Sequence, residues 1–285
     1  MGATAKNRIR LRVGAATDIG LVRDMNEDVY VSRADEGLFV VCDGMGGAPA
    51  GEVASQVAAE AIVAQLNASG NGDGPMPSDD GGFRPQTTRL AEAVRRSNAI
   101  VYRQAQENVA QADMGTTVVS AWIQDQIASV AHVGDSRAYL WHENQLEPLT
   151  TDHSFVEAAV RAGLLDREKS RTVANQNVLL RALGREPEVD VDLAEIPVQP
   201  GDYLVLCSDG LTRMVPDLTV ARTIGELRVP QLICDALVRA AIRNGGADNI
   251  TVIVVEVAGS WWQQLSNLWR RKAKRGHDGE AHSAV

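Results

Sequence analysis

The chain has 285 residues, 45% of them hydrophobic and 23% charged, enough for one large domain or two small ones around a sizeable core. A formal net charge of −9, with basic residues clustered only near the C-terminus, argues against nucleic acid as a partner. Cys42, Cys207 and Cys234 stand far apart with no C-x-x-C pair, which argues against a disulfide framework or a structural zinc site.

In chain order, the first residues hold no apolar core of a secretory signal, and no run approaches the roughly 20 apolar residues of a spanning helix, so a cytoplasmic address is expected. Residues 38–42 form a short apolar run ending at Asp43-Gly44 and predict a strand. A helix opens near Glu52, with Ala54, Val57, Ala58, Ala61 and Ile62 on one face. Residues 68–88, rich in glycine and proline, read as a flexible surface insertion without chemistry. A second helix is expected over 89–108, then strands over 117–123, 127–133 and 137–141, a strand over 203–207, a helix over 231–243 and a strand over 250–257. This order lacks the strict alternation of a parallel βαβ protein. It predicts an α+β fold of mainly antiparallel sheet with helices outside.

Four acidic clusters share one context, at the end of a predicted strand or in the loop leading into one. They are Glu27-Asp28, Asp43-Gly44, Asp209-Gly210 and Asp248-Asn249. A carboxylate directly after an apolar strand is held rigidly yet presented at its mouth, where a ligand can be placed closely. A single Asp-Gly is most simply a turn, but two of them after fully apolar strands carry more weight. Oxygen-only clusters suit Mg²⁺ or Mn²⁺.

The motifs Arg23-x-x-Asn26-Glu27-Asp28, Asp43-Gly-Met-Gly-Gly47, Gly115-Thr-Thr117, Val133-Gly-Asp135-Ser-Arg137, Leu149-Thr-x-Asp-His153-Ser154, Leu180-Arg-Ala-Leu-Gly184, Ser208-Asp209-Gly-Leu211 and Asp248-Asn249-Ile-Thr251 follow one another along the chain. Singly each is weak. As an ordered set they resemble the PPM (PP2C-like) family of Mg²⁺/Mn²⁺-dependent serine/threonine phosphatases, bacterial type. The resemblance implies a four-layer αββα sandwich, two antiparallel sheets packed face to face with helices outside, and a metal site at one edge between the sheets.

It also implies roles. Asp43 would bridge two ions, Asp209 and Asp248 would complete one, Glu27 and the Gly44 carbonyl would serve the other, and Asp28 would act through a coordinated water. Asp135, together with Asp209, would hold a third ion. The ions would activate water for direct hydrolysis of a phosphate monoester, with Arg23 on the phosphate oxygens. Arg137 reads as structural, paired with a core acid, and His153 as a helix-start residue beside Asp152. Where many animal relatives carry a histidine proposed as general acid, this chain has Met45, and the proton donor is left without a name.

The expected phosphatase domain spans 1–258, with a flap region over about 153–185 whose polar stretch, 163–177, is a candidate for substrate selection. Residues 259–285 form a tail. Trp261, Trp262, Leu265, Leu268 and Trp269 at helical spacing, followed by a basic run, suit an anionic membrane surface or a partner groove through 261–275; docking on the catalytic domain is the plainer reading. Expected partners are phosphorylated proteins and a cognate Ser/Thr kinase, with the enzyme cytoplasmic or peripheral to the inner membrane. Two other functions fit the same acids: a non-catalytic pseudophosphatase that binds phosphoproteins, and a hydrolase of small phosphate esters. The first would be marked by a lost ligand, and none of Glu27, Asp28, Asp43, Asp209 or Asp248 is missing.

Overall fold

A computed structural model describes residues 9–47, 49–68, 82–166 and 178–259. In chain order the strands are β1 (Arg10–Asp18), β2 (Asp28–Arg33), β3 (Leu38–Met45), β4 (Gly115–Thr116), β5 (Val118–Gln124), β6 (Ile127–Val133), β7 (Arg137–His142), β8 (Gln145–Pro148), β9 (Asp192–Pro197), β10 (Tyr203–Cys207) and β11 (Ile250–Ala258). The helices are α1 (Ala50–Ala68), α2 (Pro85–Glu107), α3 (Phe155–Arg161), α4 (Asp209–Thr212), α5 (Asp217–Leu227) and α6 (Pro230–Arg243). One sheet runs β1-β11-β10-β7-β8 and the other β2-β3-β5-β6-β9, with β4 added beside β3. Every pairing is antiparallel.

The period-2 geometry of a strand explains how the layers stack. Along β3, Leu38, Val40 and Cys42 pack against α1 and α2, while Phe39 and Val41 point into the space between the sheets. Along β10, Tyr203, Val205 and Cys207 face α5 and α6, and Leu204 and Leu206 face the other sheet. Both faces of the central strands are covered, which is why they read as unbroken apolar runs. The expected αββα sandwich is the observed one.

The six strands expected from the sequence all form, and β3 extends to Met45, past the expected end at residue 42. Helix α2 begins at Pro85, so residues 85–88 are not part of the insertion. Pro85 starts the helix where its missing N–H is harmless, and Thr87 is buried, bonding Ser129 Oγ at 2.7 Å. The rest of the insertion, from 69 to 81, the flap stretch 167–177 and the tail from 260 onward lie outside the described residues. No helix among the described residues is long and apolar enough to cross a membrane.

Candidate metal centre

Antiparallel pairing brings the acid-bearing ends of five strands to one edge of the sandwich. Asp43 shares the parity of Phe39 and Val41, so β3 aims it between the sheets. Asp28, at the start of β2, is its register partner. Asp135 follows β6 after Gly134, whose φ of +114° turns the chain there. Asp209 follows β10 by one residue and opens α4, and Asp248 sits in the loop leading into β11. Glu27 is placed from outside the sheet, its N–H donating to Asn249 Oδ1 at 2.8 Å. All of these acids but Asp28 line, with Gly44 and Met45, a cavity of about 360 Å³.

The cluster holds more negative charge than it can keep in a buried place. Burial, followed by the charges of Asp28, Asp209 and Asp135, raises the Asp43 pKa well above the ordinary carboxylate range. Burial pushes Asp28 up to about 7, despite a hydrogen bond from Ser208 Oγ to Asp28 Oδ2 at 2.8 Å. Asp135 rises to about 8, by burial and the charge of Asp209, and burial raises Asp209 and Glu27 as well. Asp28 Oδ1 and Asp209 Oδ1 are buried without a hydrogen-bond partner. Buried carboxylates with spare oxygens are what a hard divalent cation needs.

As the side chains stand, the cations among these acids are arginines. Arg213, one turn after Asp209 on the chain, places Nη2 against Asp209 Oδ2 and 3.3 Å from Asp135 Oδ2, with Nη1 4.0 Å from Asp248 Oδ2. Arg23 Nη2 lies 2.8 Å from Asp248 Oδ2 at the cavity rim. Among the described residues no three His, Cys, Asp or Glu side chains stand as a closed ligand set.

The sequence and the sandwich correspond to a known family. A family model described as Protein phosphatase 2C matches residues 23–243. This chain belongs to that family. It is 35% identical over 243 residues to the serine/threonine phosphatase stp of Listeria monocytogenes, covering 84% of this chain and 93% of that one. It is 35% identical over 256 residues to the serine/threonine protein phosphatase PstP of Mycobacterium tuberculosis, covering 89% of this chain and 46% of that protein. The crystal structure of Mycobacterium tuberculosis PstP/Ppp superposes with a TM-score of 0.77 at 32% identity, over 88% of this chain and all of that one. The catalytic domain of PstP in complex with two manganese ions gives 0.74 at 34%, with the same coverage.

A phosphatase 2C site for two such ions fits the residues present: the donors are oxygens, Asp28, Asp135 and Asp209 are buried, and one oxygen each of Asp28 and Asp209 lacks a partner. Supporting residues that the sequence reading quoted only as motif letters hold the acids in place. Ser208 Oγ donates to Asp28 and accepts the Thr251 N–H at 2.9 Å. Thr117 Oγ1 accepts the Asp43 N–H at 3.1 Å, and Asn249 Nδ2 ties down the carbonyls of Ile19 and Met25, which bracket Arg23. Gly51 of α1 is a less visible support, because a Cβ there would strike Glu27 Oε2. Gly51→Ala is expected to weaken Mn²⁺ binding severalfold, because Glu27 must swing away from the new Cβ, and to lower stability, because that Cβ also presses on the Met45 backbone N; isothermal titration beside a thermal melt separates the two effects.

Two neighbours fall differently from each other. Arg137 forks onto Asp152, Nε to Oδ1 and Nη2 to Oδ2 both at 2.7 Å, the structural pairing expected of it. His153 is not the residue that starts α3; Ser154 is, its Oγ accepting the Glu157 N–H. His153 is buried, its ring 4.6 Å from that of His132, and its Nδ1 accepts the Gly134 N–H at 3.1 Å.

Proposed function

We propose that the Asp43 cluster is the site at which this enzyme, a metal-dependent protein serine/threonine phosphatase, hydrolyses phosphoserine and phosphothreonine. The observation that carries the assignment is the convergence of Glu27, Asp43, Asp135, Asp209 and Asp248, from both sheets, on one open cavity, with Asp209 Oδ1 left without a partner. In this reading Asp43 would serve both of two Mn²⁺ or Mg²⁺ ions, Asp209 and Asp248 would help to hold one, Glu27 and the Gly44 carbonyl the other, and Asp28 would act through a water. Asp135, with Asp209, is the place for a third.

The two ions together supply an activated water and neutralise phosphate charge. The chain's own residues supply the geometry. Asp43 is fixed by β3 and by Thr116 and Thr117, whose Oγ1 and N–H donate to its carbonyl at 2.9 Å each. Position 44 is restricted to glycine because a Cβ there would land on the Gly51 carbonyl oxygen. Arg23, half exposed at the rim, can leave Asp248 for the non-bridging oxygens of the phosphate, where its planar fork fits two at once. Arg23→Ala is expected to raise KM for a phosphopeptide about tenfold with a smaller fall in kcat, read from steady-state kinetics.

Phosphorylated proteins are the substrate class, and the reading extends to a Ser/Thr kinase whose products this enzyme reverses. Activity on a phosphothreonine peptide separates it from a hydrolase of small esters, and turnover separates it from a binding-only relative. Mn²⁺-dependent phosphate release from that peptide, abolished by chelator and by Asp209→Ala, is the expected result; release that survives both sinks the assignment. Residues 261–275 remain a candidate contact for an anionic membrane, which liposome sedimentation before and after deleting 261–285 decides.

A further inference from the structure

The guanidinium of Arg213 occupies a place where a cation was expected from elsewhere. The Asp135–Asp209 pair is the proposed position of the third ion, yet in the structure Arg213 bridges it, with Nη2 facing Asp209 Oδ2 and 3.3 Å from Asp135 Oδ2. The side chain is three-quarters buried and so is held rather than loosely draped across the mouth. Its pKa is raised: burial opposes the charge, but Asp209 and Asp135, with Asp248 and Asp43 behind them, more than offset it. Its other terminal nitrogen lies 4.0 Å from Asp248 Oδ2, so the fork spans three of the acids. The backbone makes this easy, since Arg213 stands four residues after Asp209 and its N–H donates to the Asp209 carbonyl at 2.9 Å.

Building on the metal-site reading above, we propose that Arg213 is an internal competitor for the third divalent ion, so that this ion binds the Asp135–Asp209 pair only by displacing the guanidinium. A planar donor fork and a divalent cation demand the same carboxylate oxygens, and the two positive charges repel each other at that distance. The two ions assigned to Asp43 face less of this competition: the ion pairs of Arg213 do not reach Glu27, and at Asp209 they take Oδ2 and leave Oδ1 without a partner, with Asp248 Oδ2 only at 4.0 Å. The enzyme then carries two firmly held ions and a third whose occupancy is set by Arg213.

The test is equilibrium dialysis of the full chain against Mn²⁺, with bound metal counted by mass spectrometry, for the wild type, Arg213→Gln, Arg213→Lys and Arg213→Gln combined with Asp135→Asn. Two tight ions are expected in all four. The third is expected to bind at least about tenfold more tightly in Arg213→Gln than in the wild type, since one charge-assisted contact is worth that much. Arg213→Lys, which keeps the charge without the fork and guards against a glutamine variant that does not fold, should fall between. The added Asp135→Asn should remove the gain. A third-ion affinity that is the same in wild type, Arg213→Gln and Arg213→Lys overturns the proposal, as does a gain that Asp135→Asn leaves intact. A wild type that binds no Mn²⁺ at all overturns the metal-site reading as well, which is a different result from two tight ions and an Arg213-insensitive third.

Discussion

Asp43→Asn is expected to lower kcat on a phosphopeptide by about a thousandfold or more while leaving the protein folded and, without metal, more stable than the wild type. Asparagine matches the shape of aspartate but offers one acceptor oxygen and no charge, so it cannot bridge two ions. The fold does not depend on the carboxylate: the bonds that fix Asp43 in place run through its backbone N–H and carbonyl, to Thr117 and Thr116. Removing the charge also relieves the repulsion from Asp28, Asp209 and Asp135. Activity and stability should therefore move in opposite directions, a trade expected where a site stores unfavourable charge for function. Steady-state kinetics in Mn²⁺ and a thermal melt in chelator check the two halves separately. A variant that is simply unfolded would contradict this account of how Asp43 is held.

The second large effect is the pH dependence of the metal-free protein. Asp28 and Asp135 are raised to about 7 and about 8, and Asp43 and Asp209 are raised with them, in each case chiefly by burial. The folded state therefore binds more protons than the unfolded chain, whose aspartates titrate near 3.9. Stability from these groups is fully present below about pH 4 and is lost as pH rises toward about 8. Asp28 alone sets a ceiling of roughly 4 kcal/mol, which corresponds to a fall in Tm on the order of 10 °C for a chain of this size. Calorimetry in chelator between pH 4 and pH 8 should show that fall, Asp28→Asn should make it shallower while the other three aspartates keep part of it, and Mn²⁺ at pH 8 should reverse it because binding to the folded state alone stabilises it. A Tm that holds level or climbs over this range would contradict the buried-charge picture.

How far the fold could be read in the sequence follows from where each strand sits. The strands anticipated, β3, β5, β6, β7, β10 and β11, are the interior members of the two sheets, covered on both faces and so written as apolar runs. The four long enough to matter that were not anticipated, β1, β2, β8 and β9, are the four sheet edges. An edge strand pairs on one side only; β1 buries only Gly14 and β8 buries nothing, so neither is written as an apolar run. The helices divide in a similar way. Helix α1 showed an apolar face, whereas α3 and α5 are short and bury few residues.

At the site, the acids were legible because each stands at a strand end. Their distances were not, since Asp28 and Asp209 stand in different sheets and meet only through the face-to-face packing of the sandwich, which a sequence does not display. Arg213 went unnoticed for a related reason. One turn beyond Asp209, it reads as an ordinary polar residue of a short helix, and only the return of β6 brings Asp135 to meet it. Gly51 was equally silent, because its importance lies in what a side chain there would strike.

Anomalous diffraction from crystals of the full chain grown with Mn²⁺ tests the centre of this account most directly. Two peaks are expected, both coordinated by the Asp43 carboxylate, one also by Asp209 and Asp248 and the other by Glu27 and the Gly44 carbonyl. Peaks that leave Asp43 uncoordinated, or that lie away from the cavity between the sheets, would contradict it.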